Sequence, residues 1–249
     1  MTVDEYAQRY VTVCCCGGAG FIRADVPVGH PLFGKAIPCI CRRDGIAKER
    51  GERLRRQCGI RDSEWLRWSL ETFNPEACQP PSCRQGMRQI VAWIRDYAKE
   101  PRGWIVLTGG YGAGKTHLAY GIARAALKAG RSVFAHTAPD ILALLRETYN
   151  QGNFDEAFRS MCDVGLLVVD DLGAQRDTEW SQEQLYRLIN HRYTLGAPLV
   201  VTMNVKMDAL DPRVASRLQE GSKVGAGLTR IINLPCTDYR PIKTWKGAA

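Results

Sequence analysis

A glycine-rich stretch in the middle of the chain has the residue types that bind a polyphosphate. Its pattern is Gly109-x-x-x-x-Gly114-Lys115-Thr116. Glycines let the backbone wrap phosphates at contact distance, so that successive N–H groups point at the anion. We expect Lys115 to reach the β- and γ-phosphates and the Thr116 hydroxyl to ligate Mg²⁺. The predicted phosphate site comprises Gly109, Gly110, Tyr111, Gly112, Ala113, Gly114, Lys115, Thr116 and His117.

Two adjacent carboxylates follow the apolar run 166–169. Asp170 is predicted to bind Mg²⁺, directly or through water, and Asp171 to orient the water that attacks the γ-phosphate. Paired carboxylates also occur as ordinary turn or helix-cap residues. Their position downstream of a glycine loop favours the catalytic interpretation.

Two further polar residues complete the predicted catalytic set. Asn204 ends the apolar run 198–203, and it is suited to hydrogen-bond the attacking water or the γ-phosphate. Arg213 and Arg217 are four residues apart and share one face of a predicted helix. Arg217 is predicted to reach a neighbouring subunit's γ-phosphate as an arginine finger. The ordinary alternatives are a turn asparagine and a salt-bridged helix arginine.

Strand-like apolar runs alternate with helical patterns along the chain. This alternation predicts an α/β fold in which helices flank a parallel sheet, with the nucleotide outside the carboxyl ends of the strands. The predicted strands are 104–108, 132–136, 165–169, 198–203 and 231–234, and the predicted helices are 83–98, 117–129, 139–149, 178–194 and 211–219.

Six of the ten cysteines are at or before Cys58. Four thiolates close a tetrahedral structural zinc site, and about forty residues build little core without such a site. The predicted zinc ligands are Cys14, Cys16, Cys39 and Cys41, with Cys15 as the main rival and His30 as a conceivable substitute. No disulfides are expected. Packing or surface roles are assigned to Cys58, Cys78, Cys83, Cys162 and Cys236.

The 249 residues are 45% hydrophobic, which suits one core-bearing domain and a small appendage. The predicted domains are 1–60, a zinc-binding module with a charged linker helix, and 61–249, the nucleotide-binding domain. The net charge of +8 suits contact with nucleic acid as well as plain solubility. No apolar run approaches the ~20 residues of a membrane span, so no membrane partner and a cytoplasmic location are expected.

Four phrases resemble a known family: Gly-Tyr-Gly-Ala-Gly-Lys-Thr-His-Leu-Ala at 110–119, Leu-Leu-Val-Val-Asp-Asp-Leu-Gly at 166–173, Arg-Val-Ala-Ser-Arg-Leu at 213–218 and Asp-Tyr-Arg-Pro at 238–241. Taken in order, they resemble the ATPase domain of the AAA+ superfamily, and within it the bacterial and phage helicase loaders of the DnaC and DnaI type. The resemblance implies a P-loop ATPase that uses ATP and Mg²⁺ and self-associates in an ATP-dependent oligomer. It maps sensor 1 onto Asn204 and the arginine finger onto Arg217.

Two departures from the AAA+ pattern affect these expectations. Asp171 stands where many of these ATPases have Glu, which predicts slow hydrolysis. About thirty residues follow Arg217, too few for the usual multi-helix lid, so the lid is predicted to be reduced or absent.

The resemblance implies a replicative DNA helicase as partner, together with single-stranded DNA. Arg146, Tyr149, Phe154 and Arg159 lie where related replication ATPases carry a DNA-binding insertion, and they offer cations and aromatic rings. An amphipathic helix pair packing on the sheet is the alternative, and it is preferred for Phe154. IstB-type relatives that assist transposases share much the same phrases, so a transposase partner is a second hypothesis. A nucleotide-binding adaptor with little hydrolysis is the third. The N-terminal thiol module, which resembles that of some loaders, favours the first.

Overall fold

The computed structural model describes residues 2–42, 51–52, 54–56, 58–60, 67–220 and 229–237. The chain divides into two compact units, Met1–Arg53 and Leu54–Ala249. The sequence places this boundary after residue 60, but Leu54, Cys58 and Ile60 pack in the core of the second unit. Most of the predicted charged linker helix, and the phrase at 238–241, lie outside the described residues.

The first unit is a short helix and a two-stranded hairpin around a very small core. Helix α1 (Val3–Tyr10) is capped by Thr2, whose hydroxyl accepts a hydrogen bond from the backbone N–H of Glu5 at 3.2 Å. Strands β1 (Phe21–Arg23) and β2 (Ala36–Pro38) pair antiparallel. The buried cluster of the unit consists of Ala7, Val11, Ile37 and Cys39. So little apolar burial leaves a role for a metal in holding this unit together.

The second unit alternates strands and helices. Its elements are α2 (Arg84–Lys99), β3 (Trp104–Thr108), α3 (Lys115–Lys128), β4 (Val133–Thr137), α4 (Ala138–Gln151), α5 (Phe154–Cys162), β5 (Leu166–Leu172), α6 (Glu179–Leu195), β6 (Leu199–Met203), α7 (Pro212–Glu220) and β7 (Thr229–Asn233). Two 3₁₀ turns (Pro75–Ala77 and Pro81–Cys83) precede helix α2. The five strands form one sheet in the order β4-β5-β6-β3-β7, with every neighbouring pair parallel. This confirms the predicted α/β class.

Side chains alternate across the sheet and supply two buried layers. Ile105 and Leu107 of β3 join the layer beneath α2 and α3, whereas Trp104 and Val106 join the layer beneath α4 to α7. Burial on both faces explains why the strands are apolar runs rather than alternating patterns. Parallel strands bring their carboxyl ends to one edge, where the predicted polar residues lie. No helix in the described ranges is long and apolar enough to cross a membrane.

One expectation about the cysteines is wrong. Cys78 and Cys236, assigned to packing or surface roles, form a disulfide across 158 residues of sequence, and the Sγ of Cys83 lies 4.0 Å from that of Cys236. This pairing could not be predicted from the sequence, because only the fold brings Cys236, which follows β7, beside the segment that precedes α2. Cys58 and Cys162 are buried and form no disulfide, in agreement with the packing role expected of them.

Candidate nucleotide and metal sites

The phosphate loop joins the end of β3 to the start of α3. Helix α3 begins at Lys115, two residues before the start predicted from the sequence. Gly109 and Gly114 adopt φ of +134° and +93°. A Cβ at Gly109 would lie 2.9 Å from the carbonyl oxygen of Leu234, and one at Gly114 would lie 2.7 Å from the Phe73 ring. Both positions therefore require glycine for conformation and for space. The loop borders a cleft of about 480 Å³ at the carboxyl edge of the sheet.

Lys115 is buried with its ammonium turned onto the loop. Its Nζ donates to the carbonyls of Gly109 at 2.9 Å and Gly110 at 2.7 Å. Burial lowers the pKa of Lys115, while the charges of Asp171 and Asp170 act in the opposite direction. The ammonium thus lies where the sequence predicts the phosphates to bind. Anionic phosphate oxygens are stronger hydrogen-bond acceptors for an ammonium than the peptide carbonyls that it contacts here.

Asp170 lies beside Thr116 and is held by a hydroxyl that the sequence analysis missed. Thr116 Oγ1 donates to the Asp170 carboxylate at 3.1 Å. Thr202 Oγ1, only 1% exposed, donates to Asp170 Oδ1 at 2.6 Å and accepts from the backbone N–H of Asp171 at 2.9 Å. Burial raises the pKa of Asp170, against the effect of these two hydroxyl donors. A buried carboxylate of this kind is suited to a cation.

Asp171 is the one described non-glycine residue with positive φ, at +54°. The register between β5 and β6 shifts between Val169 and Leu172. Successive side chains of a regular strand point to opposite faces, but this irregularity lets Asp170 and Asp171 line the same cleft. Asn204 Nδ2 donates to Asp171 Oδ1 at 2.6 Å, so the two predicted catalytic residues are in contact.

The donor set around Thr116 suits Mg²⁺. One hydroxyl and one buried carboxylate are hard oxygen ligands, and Mg²⁺ usually takes one or two carboxylates and fills the rest of its coordination with water and phosphate. When bound, the ion would neutralise charge on the β- and γ-phosphates. Thr116 and Asp170 are the residues that would hold it.

The side chains of the remaining loop residues differ in placement. His117 lines the cleft, and its Nε2–H donates to the carbonyl of Ser69 at 2.8 Å. This bond fixes the segment before α2 against α3, and burial lowers the pKa of His117. Tyr111 is exposed at the cleft edge. Trp68 lines the cleft while packing on Tyr120, with ring centroids 4.8 Å apart.

Arg217 lies away from the cleft of its own chain. Its Nε donates to Asn190 Oδ1 at 3.1 Å, its Nη1 lies 3.4 Å from Glu220 Oε2, and its guanidinium is 4.3 Å from the Tyr193 ring centre. Arg217 is not among the described residues lining that cleft. Within one chain these contacts hold the side chain against α6, and the finger role toward another chain's nucleotide stays a prediction.

The four candidate DNA-contacting residues lie on α4 and α5 in different settings. Tyr149 is 69% exposed and Arg159 is also exposed. Arg146 stacks over the Trp180 ring at 4.7 Å. Phe154 is half-buried and stacks on Phe158 with centroids 5.9 Å apart, which agrees with the packing interpretation preferred for it. Tyr149 is therefore the exposed ring of the set.

The four predicted zinc ligands converge in the first unit. The Sγ atoms of Cys14, Cys16, Cys39 and Cys41 all lie within 4.8 Å of one another. Cys15 and His30 are outside this group. The His30 Nδ1 instead accepts a hydrogen bond from the backbone N–H of Leu32 at 3.1 Å. Four thiols from two short segments of the chain have the chemistry of a closed, structural zinc site.

Hydrogen bonds already favour thiolate in part of this cluster. The backbone N–H of Cys15 is the main cause that lowers the pKa of Cys39 to about 6. The backbone N–H of Gly20 similarly lowers the pKa of Cys16. The hydrogen bond to Cys16 is the main cause that raises the pKa of Cys41 to about 12. Zinc requires deprotonated thiols, and the folded loops favour that form at Cys16 and Cys39.

Comparison with known proteins assigns this chain to a family. The family model described as IstB-like ATP binding protein matches residues 87–218, more than half of the chain. The uncharacterized protein YdaV of Escherichia coli (strain K12) is 30% identical over 143 residues, which are 57% of this chain and 57% of YdaV. The replicative helicase loader DnaC of the same strain is 27% identical over 154 residues, 60% of this chain and 63% of DnaC. The chain thus spans about three fifths of the length of these relatives.

A solved structure shares the fold. The crystal structure of the DnaC helicase loader superposes with a TM-score of 0.55 at 21% identity, covering 68% of this chain and 98% of that one. Identity at this level is evidence of a common fold alone. It agrees with the AAA+ architecture that the sequence predicted.

Proposed function

Since the chain belongs to the family of IstB-like ATP binding proteins, we propose that it is an AAA+ ATPase that binds ATP with Mg²⁺ and hydrolyses it to load or remodel a replicative DNA helicase. One observation carries the ATPase part of this proposal. The Thr116 hydroxyl, the Asp170 carboxylate and the Lys115 ammonium border a single cleft beside a loop that requires glycine at positions 109 and 114.

Each polar group has a distinct role in hydrolysis. Lys115 exchanges its carbonyl partners for the β- and γ-phosphate oxygens, and the loop N–H groups bind the same anion. Asp171, oriented by Asn204, accepts a hydrogen bond from water and directs it toward the γ-phosphorus. Arg217 of a neighbouring subunit supplies positive charge to the γ-phosphate. Hydrolysis is expected to be slow because aspartate carries its carboxylate on a shorter side chain than the usual glutamate.

Similarity to DnaC and the N-terminal thiol cluster support the helicase client. Helicase loading is the role printed for that relative, and this chain aligns with it over 60% of its length. We assign the Cys14–Cys41 region a structural Zn²⁺ and a client-binding role, because it belongs to a compact unit separate from the ATPase unit. Tyr149 and Arg159 offer an exposed ring and an exposed cation for single-stranded DNA, in a chain whose net charge is +8.

Paired substitutions test the nucleotide chemistry. Lys115→Ala is expected to abolish tight ATP binding, because the phosphates lose their only loop ammonium. Asp171→Asn is expected to keep binding and lower turnover, because the phosphate cradle remains while the water-orienting carboxylate is lost. Titration with a fluorescent ATP analogue and a phosphate-release assay measure the two effects. Equal ATP affinity in wild type and Lys115→Ala would overturn the assignment.

A transposase is the second candidate client, and the family match at residues 87–218 is the observation that favours it. Purified full-length protein with ATP distinguishes the two. Capture of a replicative helicase, lost in a Cys39→Ser/Cys41→Ser double variant, supports the loader. Capture of a transposase that persists in that variant supports the transposition role.

A further inference from the structure

Three cysteines that lie far apart in the sequence converge in the second unit. Cys78 and Cys236 form a disulfide, and Cys83 Sγ lies 4.0 Å from Cys236 Sγ. All three sulfur atoms lie within 4.8 Å of one another. Each of the three residues is 9% exposed or less. The three are called the cysteine triad below.

Hydrogen bonds as well as the disulfide hold the segments around the triad together. The N–H of Thr237, the residue after Cys236, donates to the carbonyl of Gln79 at 2.9 Å. Cys83 Sγ donates to the carbonyl of Pro80 at 2.8 Å. The Arg84 side chain donates to the carbonyl of Cys78 at 3.2 Å. The segment after β7 is therefore docked on the turns before α2, which keeps the third thiol within reach of the disulfide.

The triad differs in chemistry from the thiol cluster of the first unit. Cys14–Cys16 and Cys16–Cys41 show non-bonded Sγ–Sγ separations of 3.9 and 3.5 Å, and that cluster has four thiols. The triad has three sulfur atoms, two of them bonded, and no fourth Cys, His, Asp or Glu of the described residues joins it. A closed structural zinc site takes four ligands. The geometry therefore favours disulfide chemistry over metal binding.

Three consecutive residues, 234 to 236, connect the triad to a direct contact with the phosphate loop. Leu234 lies two positions before Cys236, and its N–H donates to the carbonyl of Thr108 at 2.9 Å. The Leu234 carbonyl oxygen lies 2.9 Å from the point where a Cβ of Gly109 would be. The first glycine of the phosphate loop thus packs directly on the chain that leads into the triad.

We propose that Cys78, Cys83 and Cys236 form a thiol–disulfide exchange site that controls how firmly the segment after β7 is fixed behind the phosphate loop. The exchange is internal. The Cys83 thiolate attacks Cys236 Sγ, a Cys83–Cys236 bond forms, the Cys78–Cys236 bond breaks, and Cys78 leaves as a thiolate that takes up the proton Cys83 released. No net oxidation occurs in this step.

Formation of the first disulfide does need an oxidant, and a low-molecular-weight disulfide of the glutathione type supplies it. Two protein thiols become one protein disulfide, and the oxidant leaves as two thiols. A dithiol reverses the reaction. Either Cys236 linkage restrains Leu234 covalently, whereas the fully reduced triad leaves hydrogen bonds and core packing to do so. The predicted effect on nucleotide binding rests on the proposed function, but the exchange itself does not.

Peptide mapping of the full chain tests the exchange. The protein is equilibrated in glutathione redox buffers with one equivalent of Zn²⁺, quenched with N-ethylmaleimide, digested without reduction and analysed by mass spectrometry. Wild type is expected to yield peptides linking Cys236 to Cys78 and to Cys83. Cys83→Ser is expected to yield the first linkage alone, Cys78→Ser the second alone, and Cys162→Ser, which alters a buried thiol outside the triad, both.

Two results would overturn the exchange site. One is the absence of any Cys236-linked peptide from wild type across the redox range. The other is a Cys78→Ser variant that folds, as judged by circular dichroism, and still forms no Cys83–Cys236 linkage. A second equivalent of bound zinc that disappears in Cys236→Ser would show a metal site instead.

Nucleotide titration tests the coupling to the phosphate loop. Oxidised wild type is expected to bind a fluorescent ATP analogue at least about fivefold more tightly than reduced wild type, a coupling of the usual allosteric size. Its thermal midpoint is expected to be higher by roughly 10 °C, because the bond closes a very long loop. Cys236→Ser is expected to show neither difference. Equal affinities in the two states overturn the coupling, whereas failure of both states to bind ATP overturns the proposed function and leaves the mapping result standing.

Discussion

Thr202 illustrates how a single hydroxyl organises two carboxylates. Its Oγ1 donates to the Asp170 side chain and accepts from the Asp171 backbone, at 2.6 and 2.9 Å. The first bond turns the carboxylate toward Thr116, and the second fixes the residue whose backbone is left-handed. Such a conformation costs about 1 kcal/mol or more and persists only where the surroundings hold it. Thr202 is therefore a positioning residue for both groups.

Thr202→Val is expected to lower ATP hydrolysis about 10- to 100-fold, the usual cost of removing a partner that orients a metal ligand. Valine keeps the shape but loses the hydroxyl, so the fold should persist and the Mg²⁺ concentration for half-maximal activity should rise. A phosphate-release assay over a Mg²⁺ titration measures both effects. Thr202→Ser, which keeps the hydroxyl, is the matched control. A valine variant with wild-type Mg²⁺ dependence would show that Thr202 has no positioning role.

At the scale of elements, the parts that could be predicted from sequence are those that depend on local patterns. The run 104–108 is apolar because both sheet faces are covered, and the glycine loop after it has the residue spacing that phosphate binding requires. Asp171 was predicted at the site, but its left-handed backbone depends on a register shift against β6. Thr202 and the Cys78–Cys236 bond involve partners 32 and 158 residues away. Only the folded topology brings such partners together.

Arg192 of α6 also has partners that only the folded topology brings together, at the end of the sheet opposite the cleft. It is 1% exposed, and its guanidinium donates to the carbonyls of Cys162, Val164 and Pro198. Burial lowers the pKa of Arg192 to about 10, so the group keeps its charge at neutral pH. The Pro198 carbonyl also accepts from the backbone N–H of Leu167 at 3.3 Å, so the carbonyls of Cys162 and Val164 depend most on this helix side chain.

Arg192→Leu is expected to lower the free energy of unfolding by about 3 kcal/mol or more, because buried carbonyls left without donors carry a desolvation cost of about 1–3 kcal/mol each. Equilibrium unfolding in urea measures the change. Arg102→Leu, which removes an exposed arginine paired with Glu100, is the control and should change stability by less than about 0.5 kcal/mol. Similar losses in the two variants would contradict the role assigned to Arg192.

The hairpin of the first unit leads to a prediction about metal content. Purified protein is expected to contain one Zn²⁺ per chain, and Cys39→Ser with Cys41→Ser is expected to lose it and unfold that unit, since the buried apolar cluster among its described residues has four members. ATP binding should survive, because the phosphate loop belongs to the other unit. Elemental analysis and nucleotide titration measure the two outcomes. Cys15→Ser is the control and should retain the metal. Well under one zinc per chain, in protein prepared without chelator, would reject the site.

At the scale of the whole molecule, the predicted arginine finger lies apart from the other predicted catalytic residues. Lys115, Asp170, Asp171 and Asn204 line one cleft, while Arg217 lies against Asn190 and Tyr193 of its own chain, outside that cleft. An arginine finger adds positive charge at the γ-phosphate beyond that of the loop lysine and the metal ion. A second copy of the chain is the source that the sequence predicted. ATP would then favour assembly, because each bound γ-phosphate adds a contact across a subunit boundary.

Mixing two inactive variants tests this arrangement. Lys115→Ala cannot bind ATP but presents an intact Arg217, whereas Arg217→Ala binds ATP but offers no finger, so each alone is expected to be nearly inactive in hydrolysis. At equal mixing about one subunit boundary in four joins an intact cleft to an intact arginine if pairing is random, and activity should recover to about that fraction. Phosphate release measures the recovery of activity, and sedimentation with ATP and single-stranded DNA measures assembly.

Arg213→Ala is the matched control, because Arg213 lies on the same helix but pairs with Asp211 and Glu183 within its own chain. It should hydrolyse ATP without a partner variant. If Arg217→Ala alone hydrolyses ATP at the wild-type rate, or if the mixture is no more active than its components, then each chain completes its own site and the arginine serves only to hold α7 against α6.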